Sequence, residues 1–256
     1  MIIAEKGSTN TDTLVIVFLN QSNHPEKFRE KLCRAYGFDS YHKIFVYDRS
    51  TCMTLLGIPP ERKDFNEVRA EIESLVKRFA PKRLITTGSS AGSFPALLFG
   101  HLLKADVAVA IAPFTNLDPD ALSDQELMVR RQMKRVQRLI DENPEAPTKY
   151  MNLRSVLDQY NGKTKYLIHV SRGFQSDYQH AINLEGLPGV RIHEHLYNDH
   201  SLDTYLADTH QLKKCHSANY RVPNRLQHKA NILRYLAERR FRNLLMRLPI
   251  QSIFAR

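Results

Sequence analysis

Cysteine is scarce in this chain and long apolar runs are missing from it. Cys33, Cys52 and Cys215 form an odd set with no CxxC spacing, which argues against a disulfide framework or a zinc knuckle and favours a reducing compartment. Nowhere do roughly eighteen apolar residues follow one another, so no transmembrane helix is expected. Met1 to Ala4 is too short an apolar run for a secretory signal core, because Glu5-Lys6-Gly7-Ser8-Thr9-Asn10 follows at once. Together these absences make a cytoplasmic location the expectation. Internal repeats and low-complexity tracts are also missing.

What is present suits one globular domain. The chain has 256 residues, 42% of them hydrophobic, with 11 Tyr and 12 Phe, enough for one sizeable core. A net charge of +10 would suit nucleic acid, an anionic membrane or an acidic substrate. Much of the excess lies in Arg130 to Arg138 and in Arg234 to Arg256. Neither stretch interleaves aromatics in the way base-stacking surfaces do, so solvated helix faces are expected and nucleic acid is not.

Thr13 to Leu19, Lys43 to Tyr47, Arg83 to Thr87, Ala105 to Ala112 and Lys165 to Val170 are continuous β-branched or apolar runs, the pattern of strands buried on both faces. Val190 to Leu196 is a further strand. Helical spacing joins them: Phe28 to Tyr36 closing at Gly37, Phe65 to Phe79 ended by Pro81, Phe94 to Leu103, and a helix near Tyr178 to Leu184. The alternation predicts an α/β fold, a mostly parallel sheet with right-handed crossovers and helices on both faces. Residues 114–160 break the rhythm and are expected to form a small helical cap within the domain. Residues 208–256 form a basic helical extension.

One turn carries chemistry. Gly88-Ser89-Ser90-Ala91-Gly92 matches Gly-x-Ser-x-Gly, with a strand before it and a helix after it. Side chains at the glycine positions would strike the neighbouring strand and helix while the serine holds a strained conformation. Ser90 is therefore the candidate nucleophile, with the Ala91 N–H aimed at the oxygen of an attacked carbonyl. A second oxyanion donor is expected from Asn20 or Gln21 after the first strand. A phosphate loop is disfavoured, since the Walker lysine and GxGxxG are both absent.

A serine hydroxyl needs a histidine to take its proton and a carboxylate to orient the histidine. His193 and His195 alternate with Ile192 and Leu196 inside a strand and read as solvent-facing. His200 lies in the loop Tyr197 to Ser201 and is the chosen base, with His210 and His216 as fallbacks. Asp177 is the only carboxylate between Asp158 and Glu185 and is the chosen acid, although a helix N-cap would also suit it. Asp199 is the alternative acid, beside His200 in sequence.

With GSSAG at 88–92, Asp177 and His200 in this order, the chain resembles the α/β-hydrolase superfamily over about residues 13–207. The resemblance implies a mostly parallel sheet whose opening antiparallel strands are shortened or missing. It also implies acyl transfer to water through an acyl-enzyme on an ester, thioester or amide, with no metal or organic cofactor. The chain departs from the pattern at Leu19-Asn20-Gln21, where the superfamily often has His-Gly, and at Ser93, where a second glycine often follows. A looser likeness, through VFLN, YDRS and TTGSSAGSFPALLFG, is to small bacterial hydrolases of surface polysaccharide assembly.

The expected function is a serine hydrolase cleaving an ester or thioester of a small-molecule or glycan-linked acyl substrate. An acyltransferase with the same triad and a non-catalytic scaffold member are the alternatives. The helix of Ser123 to Asn143 mixes Leu127, Met128, Met133, Val136, Leu139 and Ile140 with Arg130, Arg131, Lys134, Arg135 and Arg138. As a cap it would bring Arg130 and Arg131 to an acidic substrate. The tail from Arg239 to Ile250 resembles an interfacial helix suited to an anionic membrane or to a partner protein.

Overall fold

The structure, a computed structural model, describes residues 1–8, 10–19, 33–49, 52–58, 64–122 and 127–247. Among the described residues seven strands form one sheet: β1 (Ile2–Glu5), β2 (Thr13–Leu19), β3 (His42–Tyr47), β4 (Arg83–Ser89), β5 (Val107–Ile111), β6 (Lys165–Ser171) and β7 (Val190–His195). Their order is β1-β3-β2-β4-β5-β6-β7, with every pairing parallel except β1 against β3. The antiparallel β1 adds a strand that hydropathy reading does not find, because it is four residues long and only half-buried at the sheet edge.

The strands from β2 to β6 read as unbroken apolar runs because helices cover both faces. One face packs Leu14, Ile16 and Phe18 of β2 against three helices: α1 (Phe65–Phe79), α2 (Ser93–Leu102) and α3 (Leu127–Asp141). The short α4 (Leu153–Leu157) and α5 (Gln175–Ile182) complete that layer. The other face packs Val15, Val17 and Leu19 against residues 33–38, α6 (Leu202–Asp208) and Tyr235 of α7 (Arg225–Arg247). Helix α1 starts on Asp64, whose side chain accepts from the Glu67 N–H, and stops at Ala80 in the left-handed conformation just before Pro81.

Residues 114–160 connect β5 to β6. Leu117 N–H donates to the Met151 carbonyl and Leu153 N–H to the Thr115 carbonyl, clamping the two ends of the segment together. Met133, Val136 and Ile140 of α3 are buried in the same core as α1 and α2, and the basic side of α3 faces solvent.

Chain direction places the site. After β2 the chain turns to β3, and after β4 it turns the opposite way to β5, so the C-terminal ends of these neighbours open a crevice between them. Among the described residues no helix is long and apolar enough to cross a membrane.

Candidate active site

At the C-terminal end of β4 the chain passes from Ser89 into a single 3-10 turn, Ser90–Gly92, and then into α2. Ser90 has φ +52°, a left-handed conformation that costs an L-residue roughly 1–2 kcal/mol. The flanking glycines make it possible. A β-carbon on Gly88 would lie 2.1 Å from the Gly92 carbonyl oxygen, and one on Gly92 would lie 2.2 Å from the Phe18 carbonyl oxygen of β2. Ser93 adds a brace: its buried hydroxyl donates to the Ser90 carbonyl and accepts from the Phe114 N–H at 2.8 Å. The elbow is thereby tied to the loop after β5.

The other two side chains come from the ends of β6 and β7. Beyond their paired region, Arg172 N–H donates to the His195 carbonyl and Gly173 N–H to the Tyr197 carbonyl. Ser171 Oγ donates to the Asp199 carbonyl at 2.7 Å. These bonds hold the two loops side by side, and His200 Nδ1 meets both carboxylate oxygens of Asp177, at 2.8 and 2.9 Å. The other ring nitrogen, Nε2, lies 2.8 Å from Ser90 Oγ. Asp177 is fully buried, while the His200 side chain is 34% exposed between the rings of Phe114 and Phe174.

With Nδ1–H donated to Asp177, Nε2 is the acceptor and Ser90 Oγ–H the donor. Burial of the ring works against its cation. The Asp177 hydrogen bond and the charges of Asp177, Asp203 and Asp199 outweigh that penalty and raise the His200 pKa above the ordinary imidazole value.

No protein-family model and no curated protein sequence matches the chain. Solved structures do. An S-formylglutathione hydrolase from Agrobacterium tumefaciens superposes with a TM-score of 0.54 at 11% identity, over 84% of this chain and 95% of that one. MPT51 of Mycobacterium tuberculosis gives 0.57 at 9% identity, over 84% and 93%. The chain has the α/β-hydrolase fold. The capsule O-acetyltransferase of Neisseria meningitidis serogroup A shares it, with a TM-score of 0.52 at 16% identity, over 83% of this chain and 88% of that one.

Within this α/β-hydrolase fold the remaining sequence candidates fall in varied places. Ala91 is the second residue of the 3-10 turn, so the turn itself supplies no acceptor for its N–H. Asn20 and Gln21 lie outside the described residues. The end of β2 that leads to them abuts the elbow, with the Phe18 carbonyl against Gly92. Asp177 is not the N-cap of its helix: α5 begins at Gln175, the cap position is Phe174, and Asp177 stands in the first turn. The carboxylate of Asp199 accepts from the N–H and hydroxyl of Ser201, which shapes the loop, and it acts on the His200 ring through its charge, while the ring's Nδ1–H donates to Asp177.

His193 and His195 are not solvent-facing. Both are buried, because Tyr220 covers this face of β7: its ring meets His193 edge-on at 5.2 Å and lies 6.0 Å from His195. Among the fallbacks, His210 is exposed, and His216 is buried beside Phe38 with Nε2 3.4 Å from Thr87 Oγ1, on the sheet face that carries α6. Arg130 pairs with Asp120, and Arg131 is solvent-exposed. Neither guanidinium meets Ser90, Asp177 or His200 among the described contacts. Sequence reading missed Ser93 and Ser171. The signal for Ser93 was a lone hydroxyl at the head of an otherwise apolar helix.

Proposed function

We propose that the protein is a serine hydrolase that cleaves an ester or thioester through an acyl-enzyme on Ser90. The observation that carries this reading is the 2.8 Å contact of Ser90 Oγ with His200 Nε2, while Nδ1 of the same ring is held by the buried Asp177. As Ser90 Oγ attacks the acyl carbonyl, His200 takes its proton, and Asp177 remains ionised and stabilises the imidazolium. The Ala91 N–H faces the developing oxyanion, with a second donor from Asn20 or Gln21. Collapse of the tetrahedral adduct breaks the bond to the leaving alcohol or thiol, which departs with the proton from His200. Water then attacks the acyl-enzyme with His200 again as base, releasing the carboxylic acid and restoring Ser90.

Turnover of a soluble activated ester such as p-nitrophenyl acetate tests this. Ser90→Ala and His200→Ala should each lower kcat by at least about 10³-fold. Wild-type rates in Ser90→Ala would remove the proposal.

A second reading keeps the same acyl-enzyme and replaces water by an alcohol. Its support is the capsule O-acetyltransferase that shares the fold. Added sugar or alcohol acceptors separate the two: an acyltransferase yields acylated acceptor in preference to free acid.

A further inference from the structure

Helix α7 has two unlike sides. His228 and Tyr235 are buried, and Asn231 and Ile232 beside them are half-buried. His228 Nδ1 lies 3.2 Å from Tyr205 Oη of α6, and the Tyr235 ring packs against Tyr197 and Tyr205. At 3.6 residues per turn, the side turned away carries Leu226, Leu233 and Leu236. They are 79%, 68% and 46% exposed and lie together on one side of the helix, an exposed apolar strip rather than scattered single residues. Ala230 and Ala237 extend this outward strip, the exposed cations Lys229 and Arg240 rise from it between the leucines, and the exposed Arg234 borders it.

We propose that α7 lays this outward face on the surface of a membrane rich in anionic lipid. The leucines would enter the headgroup boundary while the long basic side chains keep their charges among lipid phosphates. The charge of the helix selects this occupant. Arg225–Arg247 holds seven Arg or Lys and a single Glu, so two copies packed through this face would bring like charges together, whereas an anionic bilayer complements them. The inward side of α7 rests on α6, the helix that begins two residues after His200. Docking therefore sets α6, which follows the His200 loop, one helix from the lipid.

Flotation of the full-length protein with vesicles tests the proposal. Vesicles of equal parts phosphatidylglycerol and phosphatidylcholine should carry the protein, and vesicles of phosphatidylcholine alone should not. Replacing Lys229, Arg234 and Arg240 by Gln should weaken partitioning on the order of 100-fold. Replacing Leu226, Leu233 and Leu236 by Ser should weaken it at least about 10-fold. Unchanged circular dichroism would show that both triple variants are folded.

Any of four results would overturn the proposal. One is no flotation of the wild type with anionic vesicles. Another is equal flotation with both lipids, or flotation indifferent to the leucines. The last is a lipid-free dimer, seen by analytical ultracentrifugation, that the Leu→Ser variant abolishes.

Discussion

Ser90 and His200 stand 110 positions apart in the chain, yet Oγ and Nε2 are 2.8 Å from each other. Their strands are not neighbours, since β5 and β6 separate β4 from β7. What closes the distance is the loop after β7, held against the end of β6 by Ser171 and carried back across the sheet to the elbow. Each element of that relationship can be perturbed separately.

The pH dependence follows from His200. The ring must be neutral to accept the Ser90 proton, and its pKa is raised above the ordinary value, so activity falls as pH drops through that raised pKa. The acid limb of kcat/KM should have its midpoint above the usual imidazole pKa of about 6.5. In Asp177→Asn the Asp177 contribution is gone and burial is opposed only by the charges of Asp203 and Asp199, so the limb should move to lower pH while kcat falls on the order of 10⁴-fold. An acid limb that stays in place in this variant would mean that Asp177 does not set the His200 pKa.

The elbow should be intolerant at its glycines and relaxed by glycine at its serine. Gly88→Ala places a methyl group within 2.1 Å of the Gly92 carbonyl oxygen, so a loss above about 3 kcal/mol is expected by urea unfolding. Ser90→Gly, by contrast, should be about 1 kcal/mol more stable than Ser90→Ala, because glycine holds φ +52° without strain. Equal stability of the two Ser90 variants would contradict a strained nucleophile.

Ser93 is a positioning residue. Ser93→Ala leaves the Phe114 N–H without its acceptor and frees the Ser90 carbonyl, which should cost about 1–3 kcal/mol. A displaced nucleophile should lower kcat with KM little changed, since the hydroxyl touches no substrate. Steady-state kinetics on a soluble ester would show this split. A rise in KM alone would assign Ser93 to substrate binding.

The histidines on the sheet face that carries α6 predict acid sensitivity of the fold. His169 stacks on His193 at 4.7 Å, and its Nδ1 lies 3.1 Å from His195 Nε2. Burial lowers the pKa of His169 well below the ordinary value, of His193 to about 4, and of His195 and His216 to about 3. In the unfolded chain these rings titrate near 6.5, so the unfolded state binds more protons below that pH and folding stability is lost as pH falls. Each fully buried ring contributes a slope of up to about 1.4 kcal/mol per pH unit. The melting temperature should therefore drop steeply between about pH 6 and pH 4, and His195→Phe should flatten the drop. A melting temperature constant across that window would show that the cluster is not neutral in the fold.

Much of this architecture was legible in the sequence. Strands β2 to β6 announce themselves as unalternating apolar runs, and chain order, the lack of rival carboxylates between Asp158 and Glu185 and the loop position of His200 singled out three side chains that lie within hydrogen-bond distance of one another. The misreadings have physical causes. Period-2 alternation in Val190–His195 says which residues share a face, but not that Tyr220, twenty-five residues further on, covers it. Helix α5 begins at Gln175 with Phe174 at the cap position, which offers no side-chain cap, so its start could not be located and Asp177 looked like a cap. Four half-exposed residues paired at an edge left no hydropathy signal for β1. The basic side of α3 faces solvent, as the charge pattern of Arg130 to Arg138 leads one to expect.

The central claim is that Ser90 is an activated nucleophile. The measurement that tests it most directly is labelling of the full-length protein with a fluorophosphonate, followed by mass-spectrometric mapping of the modified residue. The account predicts one label per chain on Ser90, abolished in Ser90→Ala and slowed by orders of magnitude in His200→Ala. Folded protein that takes up no label, or carries it on another residue, would contradict the account.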